Sequence, residues 1–353
     1  MPATPTVAPS TIDLLGMSRQ ELADLFVSWG EKPFRSKQLW RWLYVRLAGE
    51  VAAMTDLSKG FRERLAASIV PLRPEIRSHA ISRDGTQKWL LAFGDGERVE
   101  AVHIPEVNRG TLCISSQAGC SLSCPFCRTG TYGLSRNLTA SEIVSQVVFA
   151  RSELGPQERR VTNVVLMGMG EPLYNYDAVV KGVGILMDPN GLAIGSRKIT
   201  LSTAGVAPRL VRVGHDLGVN LAISLHSVRD SVRDRLVPLN QKYNLAELKQ
   251  AAWNYPLKGG RRITWEYLLL DGVNDGVEDA RELADYLEGI PSKINLIAFN
   301  PWPGSSFSPS PPEAVERFQQ VLWDRKLVTV MRESRGGDIA AACGQLLPEK
   351  EAS

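Results

Sequence analysis

The sequence has few cysteines, few histidines and no long apolar run. Its 353 residues include five cysteines and four histidines. An odd and sparse set of cysteines in a chain of this length excludes the disulfide framework of a small secreted protein. No uninterrupted apolar stretch approaches the roughly 18 residues of a membrane span. The first residues show no basic segment followed by an apolar run, so we expect no signal peptide, no membrane association and a cytoplasmic protein.

An excess of charge of one sign is also lacking. The chain has 41 Lys and Arg against 38 Asp and Glu, a formal net charge of +3, so its overall charge does not indicate a nucleic-acid-binding protein. One segment differs: "KPFRSKQLWRWLYVR", residues 32–46, combines basic and aromatic residues and has no acid. This composition suits phosphate neutralisation and base stacking. It equally suits a helix with an aromatic core face and a solvated basic face.

Composition and hydrophobic patterning divide the chain into four segments. We expect a flexible tail over residues 1–10, which are rich in Pro, Thr and Ala, and a helical accessory domain over 11–80. "TQKWLLAFGDGERVEAVHIP" predicts two strands joined at a Gly-Asp-Gly turn, so a β-hairpin that serves as a linker or extension is expected over 81–108. The remaining part, 109–347, is long enough for a large α/β domain.

Apolar β-rich runs alternate with helical patterns throughout this last part. The runs are "TLCISS", "TNVVLMG", "KITLST", "NLAISLH", "RITWEYLLL", "INLIAFN" and "LVTVMRE". Such alternation predicts a parallel sheet covered by helices. We expect a complete or partial TIM-type barrel, with a doubly wound open sheet as the alternative. In a barrel, functional residues collect at the carboxyl ends of strands. The residues at these ends are Gly170, Glu171, Ser202, Ser224, Leu225, His226 and Asn300.

Three cysteines follow the first of these strands in the loop "CSLSCPFC", in which Cys120, Cys124 and Cys127 have the spacing C-x3-C-x2-C. They are not expected to be buried structural thiols, because three cysteines so close together and broken by a proline do not share one apolar face. A zinc site or a four-cysteine iron–sulfur site needs a fourth ligand, which Cys113 or a histidine could supply. The remaining interpretation is a four-iron, four-sulfur cluster with one iron left open for a ligand.

This spacing, with an aromatic residue before the last cysteine, resembles that of the radical S-adenosylmethionine enzymes. In those enzymes the open iron chelates the amino and carboxylate groups of S-adenosylmethionine, and reductive cleavage makes a 5′-deoxyadenosyl radical. The stretch "LMGMGEP", residues 166–172, resembles their glycine-rich turn that contacts the cofactor's amino group. The resemblance implies an α/β fold: a partial (β/α)6 radical S-adenosylmethionine barrel with a small N-terminal helical accessory domain.

Further motifs narrow the resemblance to one family. "CSLSCPFCRTG", "SLHSVRDSVRDRLVPLN", "EYLLLDGVND" and "RGGDIAAACGQL" are similar to the RlmN family of dual-specificity adenine C2-methyltransferases, over about residues 18–347. The sequence departs from the family's usual pattern at Arg128, Gly337 and Ala340. The resemblance implies methylation of an adenine of 23S ribosomal RNA and of transfer RNA, with a flavodoxin-like electron donor. We expect a monomer.

The resemblance also assigns roles to the two remaining cysteines. Adenine C2 is electron-poor and no nucleophile, so the family uses two S-adenosylmethionine molecules per turnover. One methylates Cys343, because a thiolate is a good nucleophile. The radical from the other takes a hydrogen atom from that methyl group, and the methylene radical adds to C2. Cys113 then attacks Cys343, and a transient disulfide releases the product. As isolated residues, both cysteines would be read as buried small hydrophobes.

The base that removes the C2 proton corresponds to Glu100, in "ERVEAVHIPE", and a carboxylate in a closed site suits that work. From its position in the strand alone, Glu100 would face solvent. The resemblance implies cluster ligands at Cys120, Cys124 and Cys127. It implies cofactor contacts at Gly170, Glu171, Ser202, Ser224, Leu225, His226 and Asn300.

Three other interpretations remain open. One is the related adenine C8-methyltransferase that confers antibiotic resistance, which shares the cysteines and the cofactor. Another is a radical enzyme with a different substrate, in which Cys343 has a new role. The third is a zinc-stabilised RNA-binding protein without catalysis, which predicts a colourless protein and gives Cys343 and "GMGEP" no function.

Overall fold

A computed structural model describes residues 12–154 and 161–347 of the chain. The tail expected over residues 1–10 lies outside the described residues. In the part of the chain that the structure describes, no helix is both long enough and apolar enough to cross a membrane.

Short helices form the N-terminal region. They are α1 (Arg19–Ser28), α2 (Phe34–Tyr44) and α3 (Lys59–Ser68), with 3-10 turns at Leu14–Gly16 and Val51–Ala53. Helix α1 begins at Ser18, whose hydroxyl accepts from the N–H of Glu21 while the Glu21 carboxylate accepts from the N–H of Ser18. This capping box satisfies two backbone donors that the first turn leaves without helical partners.

Helix α2 divides the basic-aromatic segment between two faces. Trp40 and Tyr44 are buried, with ring centroids 4.3 Å apart, whereas Lys37 and Arg41 are exposed. Two of the four aromatic residues therefore belong to the core, as expected for a helix with an aromatic core face. Trp42 is partly exposed and lies under a guanidinium group from the end of the segment. The basic face of α2 remains at the surface.

Three antiparallel strands follow: β1 (Glu75–Ile81), β2 (Gln87–Ala92) and β3 (Arg98–Glu106). The predicted hairpin forms as β2 and β3. Strand β1 was not predicted and begins inside the segment expected to be helical, because most of its side chains are exposed and give no apolar alternation. The hairpin extends the main sheet, since β3 pairs directly with the next strand of that sheet. We call β1–β3 the antiparallel extension.

The remaining strands build the main sheet and one small ribbon. They are β4 (Arg109–Cys113), β5 (Gln117–Gly119), β6 (Leu134–Asn137), β7 (Asn163–Leu166), β8 (Ile199–Thr203), β9 (Asn220–Ser224), β10 (Ile263–Leu269), β11 (Ser292–Ala298) and β12 (Val328–Arg332). The order β4-β7-β8-β9-β10-β11-β12 is parallel throughout, and β5 pairs only with β6 among the described strands. Strand β12 ends the sheet without pairing with β4 among the described residues, so the fold is the partial barrel that was expected. Its seven parallel strands correspond to the seven apolar runs, one more than the (β/α)6 barrel that the resemblance implies.

Helices cover the outside of the barrel. They are α4 (Arg128–Tyr132), α5 (Ala140–Leu154), α6 (Tyr176–Met187), α7 (Ala207–Leu217), α8 (Asp230–Leu236), α9 (Leu245–Trp253), α10 (Val277–Tyr286) and α11 (Pro312–Asp324). Thr139 and Glu142 cap the start of α5, and Gly218 ends α7 with a φ of 57°. A left-handed conformation at this position costs glycine little. The helices therefore place every parallel strand with its carboxyl end at one edge of the barrel.

Candidate active site

A cavity opens at the carboxyl ends of the parallel strands. It encloses about 1030 Å³ of empty space, which includes the solvent-filled mouth. Nine of the residues predicted from sequence line it: Cys120, Cys124, Cys127, Gly170, Glu171, Ser202, Ser224, His226 and Cys343. Segments that are up to 223 residues apart in the chain thus meet at one site, as expected for the edge of a barrel.

The cysteine loop, residues 120–127, is shaped by its own backbone. The N–H of Cys127 donates to the carbonyl of Cys124 at 3.0 Å. Gly130 packs so tightly beneath the loop that a Cβ there would lie 2.8 Å from the same carbonyl oxygen. Burial raises the pKa of the Cys120 thiol to about 12, and it also raises the pKa of Cys124 and Cys127, to which the neighbouring thiols add. Bound metal cations reverse this effect, since a coordinating thiol loses its proton.

The donor set fits an iron–sulfur cluster better than a single ion. Within residues 12–154 and 161–347, no group of three or more His, Cys, Asp or Glu side chains converges closely enough to hold one metal ion. Three thiols nevertheless share one wall of the cavity. A cluster binds each cysteine through a different iron atom, so its ligands stand farther apart than those of one zinc ion. Three thiols would hold three irons of such a cluster and leave its fourth iron without a protein ligand.

The "GMGEP" turn joins the ends of β7 and β8. Gly170 has a φ of 101°, and a Cβ there would lie 2.6 Å from the Cβ of Gln117, so only glycine fits. The carboxylate of Glu171 accepts from the backbone N–H groups of Leu173 at 2.9 Å and of Ala204 at 2.7 Å. Burial raises the pKa of Glu171 to about 7 despite these bonds. Glu171 therefore holds two strand ends together beside the cysteine loop.

Two hydroxyls on neighbouring strands face the cavity. Ser202 lies in β8 and Ser224 ends β9, and both are partly exposed and line the space. Neither hydroxyl has a hydrogen-bond partner among the described residues, so both can bind a ligand. Leu225 is different: its side chain is fully buried and does not line the cavity, and its N–H donates to the carbonyl of Glu266 at 3.0 Å. Its contribution is through the backbone.

His226 is a strained and neutral histidine. Its φ of 63° is unusual for a residue with a side chain, and the Asn274 amide holds its carbonyl at 2.6 Å. Nδ1 accepts from the N–H of Leu268 at 3.0 Å, which leaves the ring proton on Nε2. Burial, and then the cation of Arg233, lower the pKa of His226 to about 3. The ring therefore offers the cavity a neutral N–H donor.

Cys343 lies on the C-terminal loop, residues 336–347, and is exposed to the cavity mouth. Asn300 does not line the cavity; its amide donates to the carbonyl of Cys343 at 3.3 Å, so it holds the loop. On the other side, the N–H of Arg128 donates to the carbonyl of Gly344 at 2.8 Å. The C-terminal loop is thereby joined to the helix that follows the cysteine loop.

Cys113 ends strand β4, is partly buried and does not line the cavity. Burial raises the pKa of its thiol to about 12, and the charge of Cys343 adds to this effect. Both thiols are free, without a disulfide between them. The structure thus brings the two cysteines near enough for their charges to interact.

Glu100 is buried, so the expectation that it faces solvent was wrong. Only 4% of the residue is exposed, because the C-terminal loop packs over this face of β3. Its carboxylate binds Lys88 Nζ at 2.8 Å and the N–H of Leu347 at 2.9 Å. It is not among the residues that line the cavity. Burial raises the pKa of Glu100, and the Lys88 cation is the largest influence that lowers it.

The sequence patterns missed Arg233, which stabilises the strand ends from beneath. It is fully buried, and its guanidinium donates to the carbonyls of Leu225 at 3.0 Å, of Ala204 at 2.6 Å and of Ser224 at 3.2 Å. A buried cation is stable only when its donors are satisfied in this way. It lies in the motif "SLHSVRDSVRDRLVPLN", but three arginines share that motif and no spacing distinguishes this one.

Two further charged residues line the cavity and were also missed. One carboxylate oxygen of Glu266 accepts from Asn295 at 2.9 Å, and the other has no partner among the described residues. Arg332 at the end of β12 interacts electrostatically with Cys343 first and with Glu266 and Cys113 more weakly. The signal was present in the sequence, because a charge interrupts or ends each of these apolar runs.

Comparison with known proteins identifies the class of this site. Residues 114–287 match the radical SAM superfamily, and residues 12–70 match the ribosomal RNA large subunit methyltransferase N-terminal domain. The crystal structure of a radical SAM methyltransferase from Sphaerobacter thermophilus superposes with a TM-score of 0.92 at 42% identity, covering 97% of this chain and all of that one. The fold and the cysteine loop are those of a radical S-adenosylmethionine enzyme, a superfamily that uses a four-iron, four-sulfur cluster and S-adenosylmethionine.

Curated relatives specify the family. A protein of Magnetococcus marinus named dual-specificity RNA methyltransferase RlmN is 60% identical over 95% of this chain and 94% of its own length. A protein of the same name from Rhodospirillum rubrum is 52% identical over 96% of this chain and 81% of its own length. This chain belongs to the RlmN family. The family resemblance is thereby confirmed, and the interpretation as a non-catalytic zinc protein was wrong.

Proposed function

We propose that this protein methylates C2 of an adenine in 23S ribosomal RNA and in transfer RNA, in the cytoplasm and as a monomer. The observation that carries the proposal is the position of Cys343, which is exposed and lines the same cavity as the three cysteines. When bound at Cys120, Cys124 and Cys127, the cluster and S-adenosylmethionine supply carbon-radical chemistry. The other steps belong to side chains of this chain.

Cys343 is suited to carry the methyl group. It is exposed on a loop held by Asn300, so it can receive a methyl group and then present it to RNA. A thiol must lose its proton before it accepts a methyl group. Arg332, which interacts electrostatically with Cys343, lines the same cavity. One S-adenosylmethionine serves this methylation and a second serves the radical step, which gives two per turnover.

Cys113 is suited to release the product. Its thiol is near Cys343 and is joined to nothing else. Attack of the Cys113 thiolate on the sulfur of Cys343 forms the disulfide as the bond from that sulfur to the carbon on adenine breaks. The carbon keeps the electron pair and takes up a proton to become the methyl group of the product. The two electrons that restore both thiols come from a flavodoxin-like donor.

The strand ends are suited to bind S-adenosylmethionine. Ser202 and Ser224 present unpartnered hydroxyls, and the neutral His226 presents an N–H. Gly170 lines the cavity, so its backbone can meet a ligand's polar groups, and Glu171 fixes the turn. Leu225 and Asn300 act indirectly in this structure, through the backbone and through the C-terminal loop.

Glu100 is proposed as the base for the C2 proton. Burial raises its pKa toward the range in which a carboxylate is an effective base, while Lys88 keeps it ionised. In this structure Leu347 occupies one carboxylate oxygen, so the contact with Leu347 must be exchanged for the substrate.

RNA binding is assigned to the helical accessory domain that ends before β1. The basic face of α2, with Lys37 and Arg41 exposed, is suited to phosphates. The target base must leave its stack to enter the cavity, as in other enzymes that modify bases.

The test is methylation of an unmodified 23S ribosomal RNA transcript by iron-loaded protein, with the Cys343→Ala variant as control. Digested RNA is compared by mass spectrometry with 2-methyladenosine and 8-methyladenosine. We expect 2-methyladenosine from the wild type and no methylated adenosine from the variant. Formation of 8-methyladenosine would instead assign the C8 reaction, and equal activity of the variant would overturn the carrier role of Cys343.

A further inference from the structure

Lys88 in β2 contacts two separate parts of the molecule. Its Nζ lies 2.8 Å from Oε1 of Glu100 and donates to the carbonyl of Ala340 at 3.1 Å. Both side chains are largely buried, with 16% of Lys88 and 5% of Glu100 exposed. Ala340 precedes Cys343 by three residues on the C-terminal loop. Lys88 thus links the proposed base to the loop that carries the methyl group.

Other contacts between the antiparallel extension and the C-terminal loop hold the loop but place no cation beside Glu100. The hydroxyl of Ser82 donates to the Asp338 carboxylate at 2.6 Å. The N–H of Gly336 donates to the Asp84 carboxylate at 3.0 Å. These bonds hold the beginning of the loop and do not involve Glu100. A variant that removes one of these bonds therefore weakens the attachment of the loop while it leaves the charge of Lys88 in place.

The groups that face Glu100 come from three elements. Lys88 approaches from β2, Arg128 acts at longer range from α4, and the N–H of Leu347 donates from the C-terminal loop. Of the two cations, Lys88 has the larger influence on the pKa of Glu100. Without Lys88, burial favours the protonated carboxyl, which cannot accept a proton.

We propose that Lys88 is a positioning residue for proton removal, which holds Glu100 ionised beside the loop that carries Cys343. This inference rests on the proposed function, because it takes Glu100 as the base. In the step concerned, the C–H bond at C2 breaks, the proton moves to the Glu100 carboxylate and the electron pair stays on the adenine ring. The carboxylate becomes neutral and its ion pair with Lys88 is lost, whereas the bond from Lys88 to Ala340 remains.

The experiment uses full-length, iron-loaded protein that has first been methylated on Cys343 with S-adenosylmethionine. Single-turnover transfer to a 23S ribosomal RNA transcript is measured from pH 5 to pH 9 for wild type, Lys88→Met, Lys88→Arg and Ser82→Ala. The first variant keeps the length of the side chain and removes its charge, and the second restores the charge. Ser82→Ala weakens the hold on the loop without altering the charge next to Glu100. The mass of the Cys343 peptide is recorded for every sample.

We expect Lys88→Met to keep Cys343 methylation and to move the acid limb of the transfer profile upward by about one pH unit or more, as the loss of an adjacent opposite charge predicts. Lys88→Arg should restore the limb, and Ser82→Ala should leave it in place. The inference is overturned if Lys88→Met shows the wild-type profile, or if Ser82→Ala shifts the limb as far. If the proposed function itself is wrong, the result differs from these: the wild-type protein would carry no methyl group on Cys343, or would transfer none to the RNA.

Discussion

The cysteine loop and the C-terminal loop line one cavity but are held in different ways. The cysteine loop is held mainly by bonds between neighbours in sequence, such as that from Cys127 to Cys124, with one distant donor, Trp302 Nε1, on the carbonyl of Phe126. The C-terminal loop is held by side chains from distant strands, among them Lys88, Asn300 and Ser82. Bonds between sequence neighbours can form as soon as the loop itself folds. Contacts between distant residues form only after the barrel and the antiparallel extension have assembled.

This difference matches the two tasks that we propose. A cluster must stay in one place, and a rigid local loop suits it. A methyl carrier must meet first a cofactor and then an RNA base, and an exposed loop with separate tethers suits that exchange. Variants in the two regions should therefore fail differently.

The largest effect is expected in the cysteine loop. Cys124→Ser removes one thiolate of three, so bound iron and RNA methylation should both fall to background, since a serine hydroxyl does not replace a thiolate as a ligand for iron. Iron content and visible absorbance after anaerobic reconstitution measure the loss. The Cys343→Ser variant is the control and should keep its iron. A Cys124→Ser protein with full iron content would remove this cysteine from the ligand set.

A variant at Cys113 should block product release from Cys343 while the protein still binds its cluster. Cys113→Ala leaves no thiol to attack Cys343, so RNA should remain covalently attached to the protein after one turnover, with wild-type iron content. A slowed band on a denaturing gel that disappears with ribonuclease detects the adduct. The Cys113→Ala, Cys343→Ala double variant should give none. Normal multiple turnover by Cys113→Ala would contradict the releasing role.

Arg233 tests whether the strand ends depend on one buried cation. Arg233→Met leaves several carbonyl acceptors without donors, and we expect the free energy of unfolding to fall by about 3 kcal/mol or more. Urea denaturation of the metal-free protein measures the loss. Arg235→Met, two residues away and exposed, should change stability little. Equal effects of the two variants would show that the buried bonds contribute nothing.

The smallest effect is expected for one tether of the C-terminal loop. Ser82→Ala removes a hydrogen bond worth about 1 kcal/mol, so amide hydrogen exchange in residues 336–347 should accelerate about fivefold. Ser135→Ala removes the bond from Ser135 to Glu97, away from this loop, and should leave its exchange unchanged. Unchanged exchange in Ser82→Ala would mean that the loop does not depend on this contact.

The parts of the site that were predicted are those with local signals. The apolar runs gave the parallel strands, and the cysteine spacing together with "GMGEP" marked one side of the cavity. The burial of Glu100 and the contact between Lys88 and Ala340 were not predicted, because the latter joins residues 252 positions apart. Strand β1 was missed since its side chains are mostly exposed, and pairing with β2 rather than an apolar pattern defines it.

The central claim is that Cys343 carries the methyl group. Iron-loaded protein, purified without oxygen, is incubated with S-adenosylmethionine and a reductant, and the peptide that contains Cys343 is examined by tandem mass spectrometry. A mass increase of one methylene group, located on Cys343 and absent from Cys113, is the predicted result. An unmodified Cys343 in protein that holds its cluster would contradict the account.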